Sequence, residues 1–314
     1  MQIVVLDGYT INPGDLSWEN FEQFGTLTVY DRTPSECTAL RLVGAEAAFT
    51  NKTRISAADL EHAGSLKYIG LLNAGYEGVD LYIAKKRGIA VANVPDFQSG
   101  AVAQFTIALL MEICHSIGHH NREVHKGRWT AAPDYCFWDT PQIELAGLTF
   151  GVFGTGHVGC AVAKLAKALG MQVIGTSPHK KKEFVGQYVT KEELLARSDV
   201  LSLHCPPKTG TVIDAAAIQK MKDGAILLNT AAGALVNAAD LASALATGKL
   251  YAAGIDVAER EPIIRSNPLL NAPNCFVTPH IAGSSFAVRK QILQAAAENL
   301  QAFLDGQPVN RLDL

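Results

Sequence analysis

The chain has 314 residues, 48% of them hydrophobic and 18% charged, and a formal net charge of −3. A chain of this length and composition can bury the cores of two domains, and its charge balance gives no sign of a nucleic-acid or membrane partner. No apolar run reaches the length of a membrane span, and the amino terminus has no basic region followed by an apolar leader. The six cysteines form no CxxC pair, so we expect reduced thiols and a cytoplasmic location.

Short apolar runs typical of β-strands alternate with helical segments in two series. The first series predicts strands at residues 3–6, 27–30, 47–50, 68–72 and 90–93. A proline-free stretch from 99 to about 126 then predicts one long helix, with Gly118 as its weakest point. The second series predicts strands at residues 149–153, 172–176, 200–204, 225–229, 252–256 and 275–278, and a last helix at 284–304. Such alternation indicates parallel sheets covered by helices on both faces, so the predicted fold class is α/β, with two doubly wound parallel-sheet domains.

The predicted boundary between the domains lies near Pro95, which interrupts the strand–helix pattern. The last helix follows the final strand of the second series, and a helix that leaves one domain can pack back on the first. We therefore predict a discontinuous first domain, residues 1–96 plus 285–314, and a continuous second domain, residues 97–284.

A glycine-rich loop, Gly154-Thr-Gly156-His-Val-Gly159, follows the first strand of the second series. It opens an alanine-rich helix that leads to another strand, and this context distinguishes a dinucleotide fingerprint from an ordinary glycine turn. In such a loop Gly154 permits the tight turn, Gly156 lets the backbone approach a pyrophosphate at the positive end of the helix, and Gly159 lets helix and strand pack closely. The loop therefore predicts that the second domain binds a dinucleotide.

The end of the next strand indicates which dinucleotide binds. The Asp or Glu that would hold the ribose 2′-hydroxyl of NAD is absent, and Ser177 stands in its place, followed by His179 and the lysines from Lys180 to Lys182. A small hydroxyl beside cations suits a 2′-phosphate, which favours NADP. NAD stays open as the alternative, since the same lysines are compatible with a solvated loop.

Polar residues end three other strands of the second series: Asn229 with Thr230, Asp256 with the nearby Glu261, and His280. The carboxyl ends of strands line the ligand crevice of a doubly wound sheet. Moving a hydride from a carbinol also requires loss of the hydroxyl proton near neutral pH, and a histidine oriented by a carboxylate suits that role. Taken singly, His280 is more typical of a capping or core residue.

Together these motifs resemble the D-isomer-specific 2-hydroxyacid dehydrogenases. The resemblance rests on the glycine loop, LNTAAGALVN, GIDVAEREP and TPHIAGSS, with NAGYEGVD and NVPDFQSGAVAQFTIALL upstream, and it covers nearly the whole chain in the family's order and spacing. The opening IVVLDGYTINPGDLSWE and the segment FWDTPQIELAG are most similar to the glycerate dehydrogenase, or hydroxypyruvate reductase, branch. The resemblance implies a Rossmann-type cofactor domain, a flavodoxin-like substrate domain and a homodimer formed through the long helix and its neighbours.

The resemblance also implies roles for individual residues. His280 matches the general acid/base, and Glu261 matches its carboxylate partner. Backbone amides around Ala74 and Gly75 match the loop that holds the substrate carboxylate. Trp138 resembles a residue that reaches the partner subunit's active site.

The cofactor site implied by the resemblance spans several strand ends. Asp256 matches the acid near the nicotinamide carboxamide, and His204-Cys205-Pro206 matches the loop over the adenosine side. The segment PKTGT that follows is shorter than the family usually has. The predicted cofactor-binding residues are Gly154, Thr155, Gly156, His157, Val158, Gly159, Ser177, Lys180, His204, Cys205, Pro206, Thr230, Ala231, Asp256, His280 and Gly283.

The chain departs from the family most clearly at Ala232. The family reads Asn-Thr-Ala/Ser-Arg-Gly where this chain reads NTAAG, so the arginine that forks onto the substrate's carboxylate and carbonyl is missing. A charge-assisted hydrogen bond contributes about 1.5–3 kcal/mol. We therefore predict weak substrate binding and slow turnover with an intact cofactor site. Arg260 and Arg265 are nearby cations in the sequence that could supply a charge.

The predicted function is hydride transfer between NADP(H) or NAD(H) and a small D-2-hydroxy or 2-oxo acid, such as glycerate/hydroxypyruvate or glycolate/glyoxylate, impaired by Ala232. The alternative is a dinucleotide-binding sensor that has lost turnover; Ala232 favours it, and the retained His280 and Glu261 oppose it. A zinc hydrolase would use His115 and His119, but the glutamate of an HExxH motif is absent, so no metal is predicted.

Overall fold

The computed structural model describes residues 1–76, 78–94 and 97–312. The chain divides into two compact units, one formed by Met1–Phe97 and Ser284–Leu314, the other by Gln98–Gly283. Each boundary lies one residue from the predicted one. Pro95, which marked the predicted break, lies outside the described residues.

The elements follow the two predicted series. The strands are β1 (Gln2–Val5), β2 (Thr26–Val29), β3 (Ala47–Thr50), β4 (Tyr68–Leu71), β5 (Ala90–Ala92), β6 (Thr149–Phe153), β7 (Gln172–Thr176), β8 (Gln187–Tyr188), β9 (Val200–Leu203), β10 (Ala225–Asn229), β11 (Leu250–Ile255) and β12 (Cys275–Val277). The helices are α1 (Glu19–Glu22), α2 (Thr38–Leu42), α3 (Ala57–His62), α4 (Leu81–Lys86), α5 (Ser99–His115), α6 (Ile117–His125), α7 (His157–Ala168), α8 (Lys191–Arg197), α9 (Ala215–Lys220), α10 (Ala238–Ala246) and α11 (Phe286–Leu304).

The first unit contains a parallel sheet with strand order β2-β1-β3-β4-β5. This is the flavodoxin-like order of a doubly wound sheet. Strands β3 and β4 are buried along their whole length, as expected for strands covered on both faces. Helix α11 packs on this sheet, with the rings of Phe303 and the buried Tyr68 5.1 Å apart. The two segments of the unit therefore share one core.

The described residues of the second unit form a parallel sheet with strand order β12-β11-β10-β9-β6-β7-β8. Counted within the unit, this is the Rossmann order 3-2-1-4-5-6 extended by one strand, and the order reverses between β6 and β9. The His204 amide donates to the Phe153 carbonyl at 2.8 Å. The segments that follow β6 and β9 therefore leave the sheet side by side at the switch point, and the predicted α/β fold class is confirmed.

The predicted long helix is two helices, so that prediction was wrong in one respect. Ser116 adopts a left-handed backbone (φ 48°) and ends α5, and α6 leaves at 57° to it. The Ser116 amide still donates to the Glu112 carbonyl (2.7 Å), while the Glu112 carboxylate accepts from the Gly118 amide at 3.1 Å. One glutamate thus serves both sides of the break, which lies two residues before the predicted weak point. Within the described ranges no single helix has the length and hydropathy to cross a membrane, and α5 with α6 reaches them only as a bent pair.

The structure adds a short strand that the sequence did not predict. Strand β8 pairs with Ile174 and Gly175 of β7 at the edge of the sheet. Two residues are too few for an alternating pattern to be detected. The strand matters because it brings Tyr188 beside the glycine loop.

Candidate cofactor site and active site

The glycine loop turns tightly between β6 and α7. Gly154 has a positive φ of 98°, and a Cβ there would lie 2.5 Å from the His204 carbonyl oxygen. A Cβ at Gly159 would overlap the Gly154 carbonyl, so only glycine lets α7 start this close to the loop. A Cβ at Gly156, in contrast, would meet open space. The loop therefore leaves a free backbone face at the amino-terminal end of α7, where a pyrophosphate fits.

Thr155 and Cys160 hold this loop from inside. Thr155 is buried, and its hydroxyl lies 2.9 Å from Tyr188 Oη. The Cys160 thiol donates to the Thr155 carbonyl at 3.3 Å, and burial raises its pKa, which keeps the donor protonated. His157 is exposed and Val158 half-buried at the start of α7.

A cleft of about 280 Å³ lies beyond the end of β7. It is lined by Thr176, Ser177, Lys180, Tyr188, Val189, Thr190 and Glu193. The Glu193 carboxylate caps α8 by accepting from the Thr190 amide (2.9 Å) and hydroxyl (3.1 Å), and these bonds hold its pKa below the usual range. Ser177 and Lys180 therefore border the cleft where a ribose would sit, and the carboxylate present there is already engaged by a helix cap.

The segment after β9 begins in a largely covered environment. His204 Nε2 lies 2.8 Å from Ser202 Oγ, while Nδ1 is buried and has no hydrogen-bond partner in the described part of the chain. Burial lowers the pKa of His204 to about 3, so its ring is neutral near pH 7. Burial also raises the pKa of the Cys205 thiol, which keeps it protonated rather than nucleophilic. Pro206 begins the exposed loop that follows.

The loop after β10 is held by the side chain of Asn229. Its Oδ1 accepts from the amides of Ala231 (3.1 Å) and Ala232 (3.3 Å), and its Nδ2 donates to the Ala232 carbonyl (2.8 Å). The Thr230 hydroxyl lies 2.8 Å from Thr106 Oγ1 on α5. The half-buried Ala232, where the family has arginine, therefore occupies a well-defined position.

Gly233 brings this loop against a second one. A Cβ at Gly233 would overlap the backbone of Ala258 and Glu259, so the two loops are in backbone contact. The Ala258 amide donates to Glu261 Oε1 at 3.0 Å and closes a turn that carries the exposed Arg260. The position of the missing arginine therefore lies beside the turn that carries the catalytic carboxylate candidate.

His280 and Glu261 form a hydrogen-bonded pair although they are 19 residues apart. His280 Nδ1 lies 2.6 Å from Glu261 Oε2, and the two side chains are 45% and 37% exposed. His280 has a φ of 56°, and its amide donates to the Thr278 carbonyl (3.1 Å) in a tight turn. In the described part of the chain nothing hydrogen-bonds to Nε2, so the outer edge of the ring is accessible to a substrate.

Asp256 is buried, and both of its carboxylate oxygens are engaged. Oδ1 accepts from the Thr278 hydroxyl (2.6 Å) and the Ile281 amide (3.0 Å), and Oδ2 accepts from the Ala282 amide (2.8 Å). This carboxylate therefore holds the loop that carries His280. Its role near the nicotinamide carboxamide stays a prediction.

Ala74 and Gly75 lie in the first unit, after β4. Asn93 Nδ2 donates to the Ala74 carbonyl at 2.8 Å, and Asn73 Nδ2 lies 3.1 Å from Asn51 Oδ1. Side-chain amides thus hold this loop from two sides. Its role in binding a substrate carboxylate stays a prediction.

Trp138 lies on an exposed aromatic surface of the second unit. It is 66% exposed, and Trp129 and Tyr135 are 52% and 89% exposed. Trp138 and Trp129 border a cleft of about 530 Å³ together with His115 and His120. The structure therefore presents Trp138 outward, away from the core of its own unit.

The two histidines considered for zinc have other partners. His119 Nε2 lies 2.6 Å from Asp139 Oδ2, and His115 Nδ1 lies 3.2 Å from Gln142 Oε1. Hydrogen bonds from Arg128 and His119 hold the pKa of Asp139 far below its usual range. Residues 1–76, 78–94 and 97–312 contain no group of three His, Cys, Asp or Glu side chains that could hold a metal ion.

Sequence reasoning missed three residues that support the site. Thr106 contacts Thr230, Tyr188 contacts the glycine loop, and Gln98 lies against Gly283, where a Cβ would be 2.5 Å from its Oε1. Gln98 and Thr106 lie in the segment NVPDFQSGAVAQFTIALL that carries the resemblance, but neither was assigned a role, and Tyr188 belongs to no motif. A threonine within an apolar helical run was the one available signal, because a buried hydroxyl requires a partner.

A Rossmann-ordered sheet that leaves a helix terminus free at its switch point, with a histidine–carboxylate pair beyond its strand ends, defines a dinucleotide-dependent dehydrogenase. Residues 107–282 match the model of the D-isomer specific 2-hydroxyacid dehydrogenase family, NAD binding domain. The chain belongs to the D-isomer specific 2-hydroxyacid dehydrogenases and is an NAD(P)-dependent oxidoreductase.

Known proteins are similar to this chain along almost its whole length. It is 46% identical to a hydroxypyruvate reductase of Blautia hydrogenotrophica over 318 aligned residues, which cover 99% of both chains. It is similar to the solved TT0316 protein of Thermus thermophilus, with 33% identity, a TM-score of 0.86 and coverage of 99% of this chain and 100% of that one. An acyclic imino acid reductase, solved with NADPH and D-Arg, has 28% identity, a TM-score of 0.83 and coverage of 99% and 100%. The family resemblance read from the motifs is thereby confirmed.

Proposed function

We propose that the chain reduces a small 2-oxo acid, hydroxypyruvate or glyoxylate, to the corresponding 2-hydroxy acid, D-glycerate or glycolate, at a rate limited by Ala232. The contact of 2.6 Å between His280 Nδ1 and Glu261 Oε2 carries this proposal. A carboxylate at Nδ1 keeps that nitrogen protonated and leaves Nε2 to exchange a proton with the substrate oxygen. The similarity to a hydroxypyruvate reductase supports the substrate class.

The nicotinamide supplies the hydride when bound, and the residues of this chain supply binding and proton transfer. The open face at Gly156 would hold the pyrophosphate, as the fit of the glycine loop indicates. His280 donates its Nε2 proton to the carbonyl oxygen and becomes neutral. Glu261 stabilises the protonated ring beforehand, and Asp256 holds the loop so that Nε2 keeps its position.

We propose that amides at Ala74 and Gly75 bind the substrate carboxylate. Because Ala232 has no donor, that carboxylate and the carbonyl oxygen lose a bidentate partner, so KM is expected to be high and kcat low. The same residue favours a second candidate, a sensor that binds a dinucleotide without turnover. The retained pair of His280 and Glu261 opposes it, since a sensor needs no proton donor.

Oxidation of NADPH and NADH with hydroxypyruvate and with glyoxylate tests both candidates. Turnover that His280→Ala abolishes, with cofactor affinity unchanged, supports the reductase. If the parent and Ala232→Arg both bind the cofactor but reduce neither acid, the reductase proposal fails and the sensor is favoured.

We propose NADP as the preferred cofactor. Support comes from Ser177 and the exposed Lys180 at the cleft beyond β7, and from the imino acid reductase solved with NADPH. The Glu193 carboxylate is held by the cap of α8, so it is a weaker acceptor for a ribose hydroxyl than a free acid at the strand end. A lower dissociation constant for NADPH than for NADH is expected, and the reverse order would favour NAD.

We also propose a cytoplasmic homodimer. The exposed aromatic surface around Trp129, Tyr135 and Trp138 is of the kind that marks an interface, and the six cysteines are free thiols, as in a reducing compartment. Light scattering should give twice the chain mass, and Trp138→Glu should shift the protein towards monomer. A monomeric parent would refute the dimer, and recovery outside the cytoplasmic fraction would refute the location.

A further inference from the structure

The phenol of Tyr188 connects two segments of the candidate cofactor site. Its Oη accepts from the Lys181 amide at 2.7 Å and donates to the Lys181 carbonyl at 3.3 Å. The same oxygen lies 2.9 Å from Thr155 Oγ1 in the glycine loop. Because the phenol has one hydrogen, the Thr155 hydroxyl is the donor in that contact.

The segment held by this phenol carries the residues expected to recognise the cofactor's 2′ group. Residues 177–186 leave the sheet at the end of β7 and return at β8. Phe184 anchors the return, since it is buried and its ring lies 4.9 Å from the ring of Tyr188. Lys180 Nζ lies 5.4 Å from the centroid of the Tyr188 ring, and Lys180 lines the same cleft as Ser177.

We propose that Tyr188 is a positioning residue for cofactor selection, which holds Lys180 and Ser177 at the cleft by bonding both backbone groups of Lys181. This inference rests on the proposed function, because it assigns the cleft to the 2′ end of the cofactor. Segments with few contacts and many solvent-exposed backbone bonds open easily. Without the hydroxyl, the Lys181 amide loses its partner and the Lys181 carbonyl keeps only the Phe184 amide at 3.4 Å. The ammonium of Lys180 is then no longer held over the cleft.

The hydroxyl also joins the 2′ end of the site to its pyrophosphate end, because the bond to Thr155 reaches the glycine loop. A change in Thr155 should therefore affect NADPH and NADH alike, since both have a pyrophosphate. A change in the bonds to Lys181 should affect NADPH more, since only NADPH has a 2′-phosphate. The ratio of the two affinities separates these effects.

Titration of the full chain with NADPH and with NADH, without substrate, tests the proposal in Tyr188→Phe, which retains the ring. We expect the preference for NADPH over NADH to fall about three- to tenfold, the range for the loss of one neutral hydrogen bond. Tyr251→Phe is the matched control, because no hydrogen bond of its hydroxyl is found among the described residues, and its ratio should not change. Exchange of the Lys181 amide with deuterium should accelerate in Tyr188→Phe alone.

A double-mutant cycle with Lys180→Ala tests whether Tyr188 acts through the lysine. Positioning predicts that Tyr188→Phe changes the ratio by less than about twofold once Lys180 is gone, because coupled residues are not additive. An unchanged ratio in Tyr188→Phe, an equal loss for both cofactors, or full additivity with Lys180→Ala would each overturn the proposal. If the parent binds NADH more tightly than NADPH, the proposed cofactor preference fails. The change in the ratio of the two affinities between the parent and Tyr188→Phe still tests the positioning role of Tyr188.

Discussion

The substitution Ala232→Arg restores the side chain that the family has and this chain lacks. The backbone at this position is held on both sides by Asn229, which accepts from the Ala232 amide and donates to its carbonyl. The residue is extended (φ −154°, ψ 139°) and half-buried, so any side chain can be accommodated without backbone strain. An arginine added there would project from a loop that is already ordered.

The expected gain follows from what a guanidinium does at a carboxylate and a developing oxyanion. One charge-assisted hydrogen bond contributes about 1.5–3 kcal/mol, and one donor aimed at an oxyanion contributes about 10²–10³ in kcat. We expect kcat/KM for hydroxypyruvate to rise by about 10²–10³ in Ala232→Arg. The dissociation constant of NADPH should change less than about twofold, since no part of the glycine loop is altered.

Loss of NADPH absorbance with hydroxypyruvate measures the effect, with Ala232→Lys as a control that restores charge without the planar fork. A gain below about tenfold with cofactor binding intact would refute the reasoning. In that case Arg260→Ala in the parent becomes decisive, because Arg260 lies in the turn that touches Gly233. Loss of activity in that variant would show that the charge already comes from the neighbouring turn.

Three further predictions concern protons and thiols. Replacing Glu261 by Gln should lower kcat/KM for reduction about 10- to 100-fold, the value of one charge-assisted hydrogen bond, because His280 loses the carboxylate that orients its ring. A kcat/KM equal to the parent's would contradict the assigned partnership. Because the pKa of His204 falls from 6.5 to about 3 on folding, the unfolded chain takes up the proton first, and stability present above pH 6.5 is lost as the pH falls. Between pH 8 and pH 5 the free energy of unfolding, measured with denaturant, should fall by about 2 kcal/mol more in the parent than in His204→Gln. Equal decreases in the two proteins would show that the ring is not buried. Burial raises the pKa of both Cys114 and Cys275 to about 11, so neither should react with a thiol reagent at pH 8 in the native protein; modification at the rate of the unfolded chain would refute that burial.

The strands were predictable from the sequence because most of them are buried on both faces. Strands such as β3 and β10 are buried along their whole length and apolar up to their last residue. An apolar run of that kind between turn signals predicts a strand directly from the sequence. The break at Ser116 was not predictable, since it depends on a left-handed serine and on the Glu112 carboxylate that caps the next helix. Propensity reasoning assigned the weakness to the nearest glycine instead, Gly118.

The candidate site also combines features that the sequence predicts with features that it does not. The glycine loop is local, so its spacing and context predict its turn. The partnership of His280 with Glu261 joins residues far apart in sequence and came from the family resemblance. The hydrogen-bond partners of Asp256 could not be predicted from the sequence pattern. Its carboxylate accepts from three donors of one loop, which only the folded structure brings together. Tyr188 lay outside every motif, since its importance comes from the partners of one oxygen.

The discontinuity of the first unit has a consequence for the order of events during synthesis. The second unit is one continuous segment, and all strands of its sheet have been translated before α11 begins. The first unit cannot complete its core until α11 arrives, because Phe303 covers Tyr68 and Asn299 Nδ2 donates to the Asn93 carbonyl at 2.8 Å. Domains generally fold in order from the amino terminus as they leave the ribosome. Here the second unit can fold before the first, because the amino-terminal segment of the first unit cannot complete its core until α11 has been synthesised.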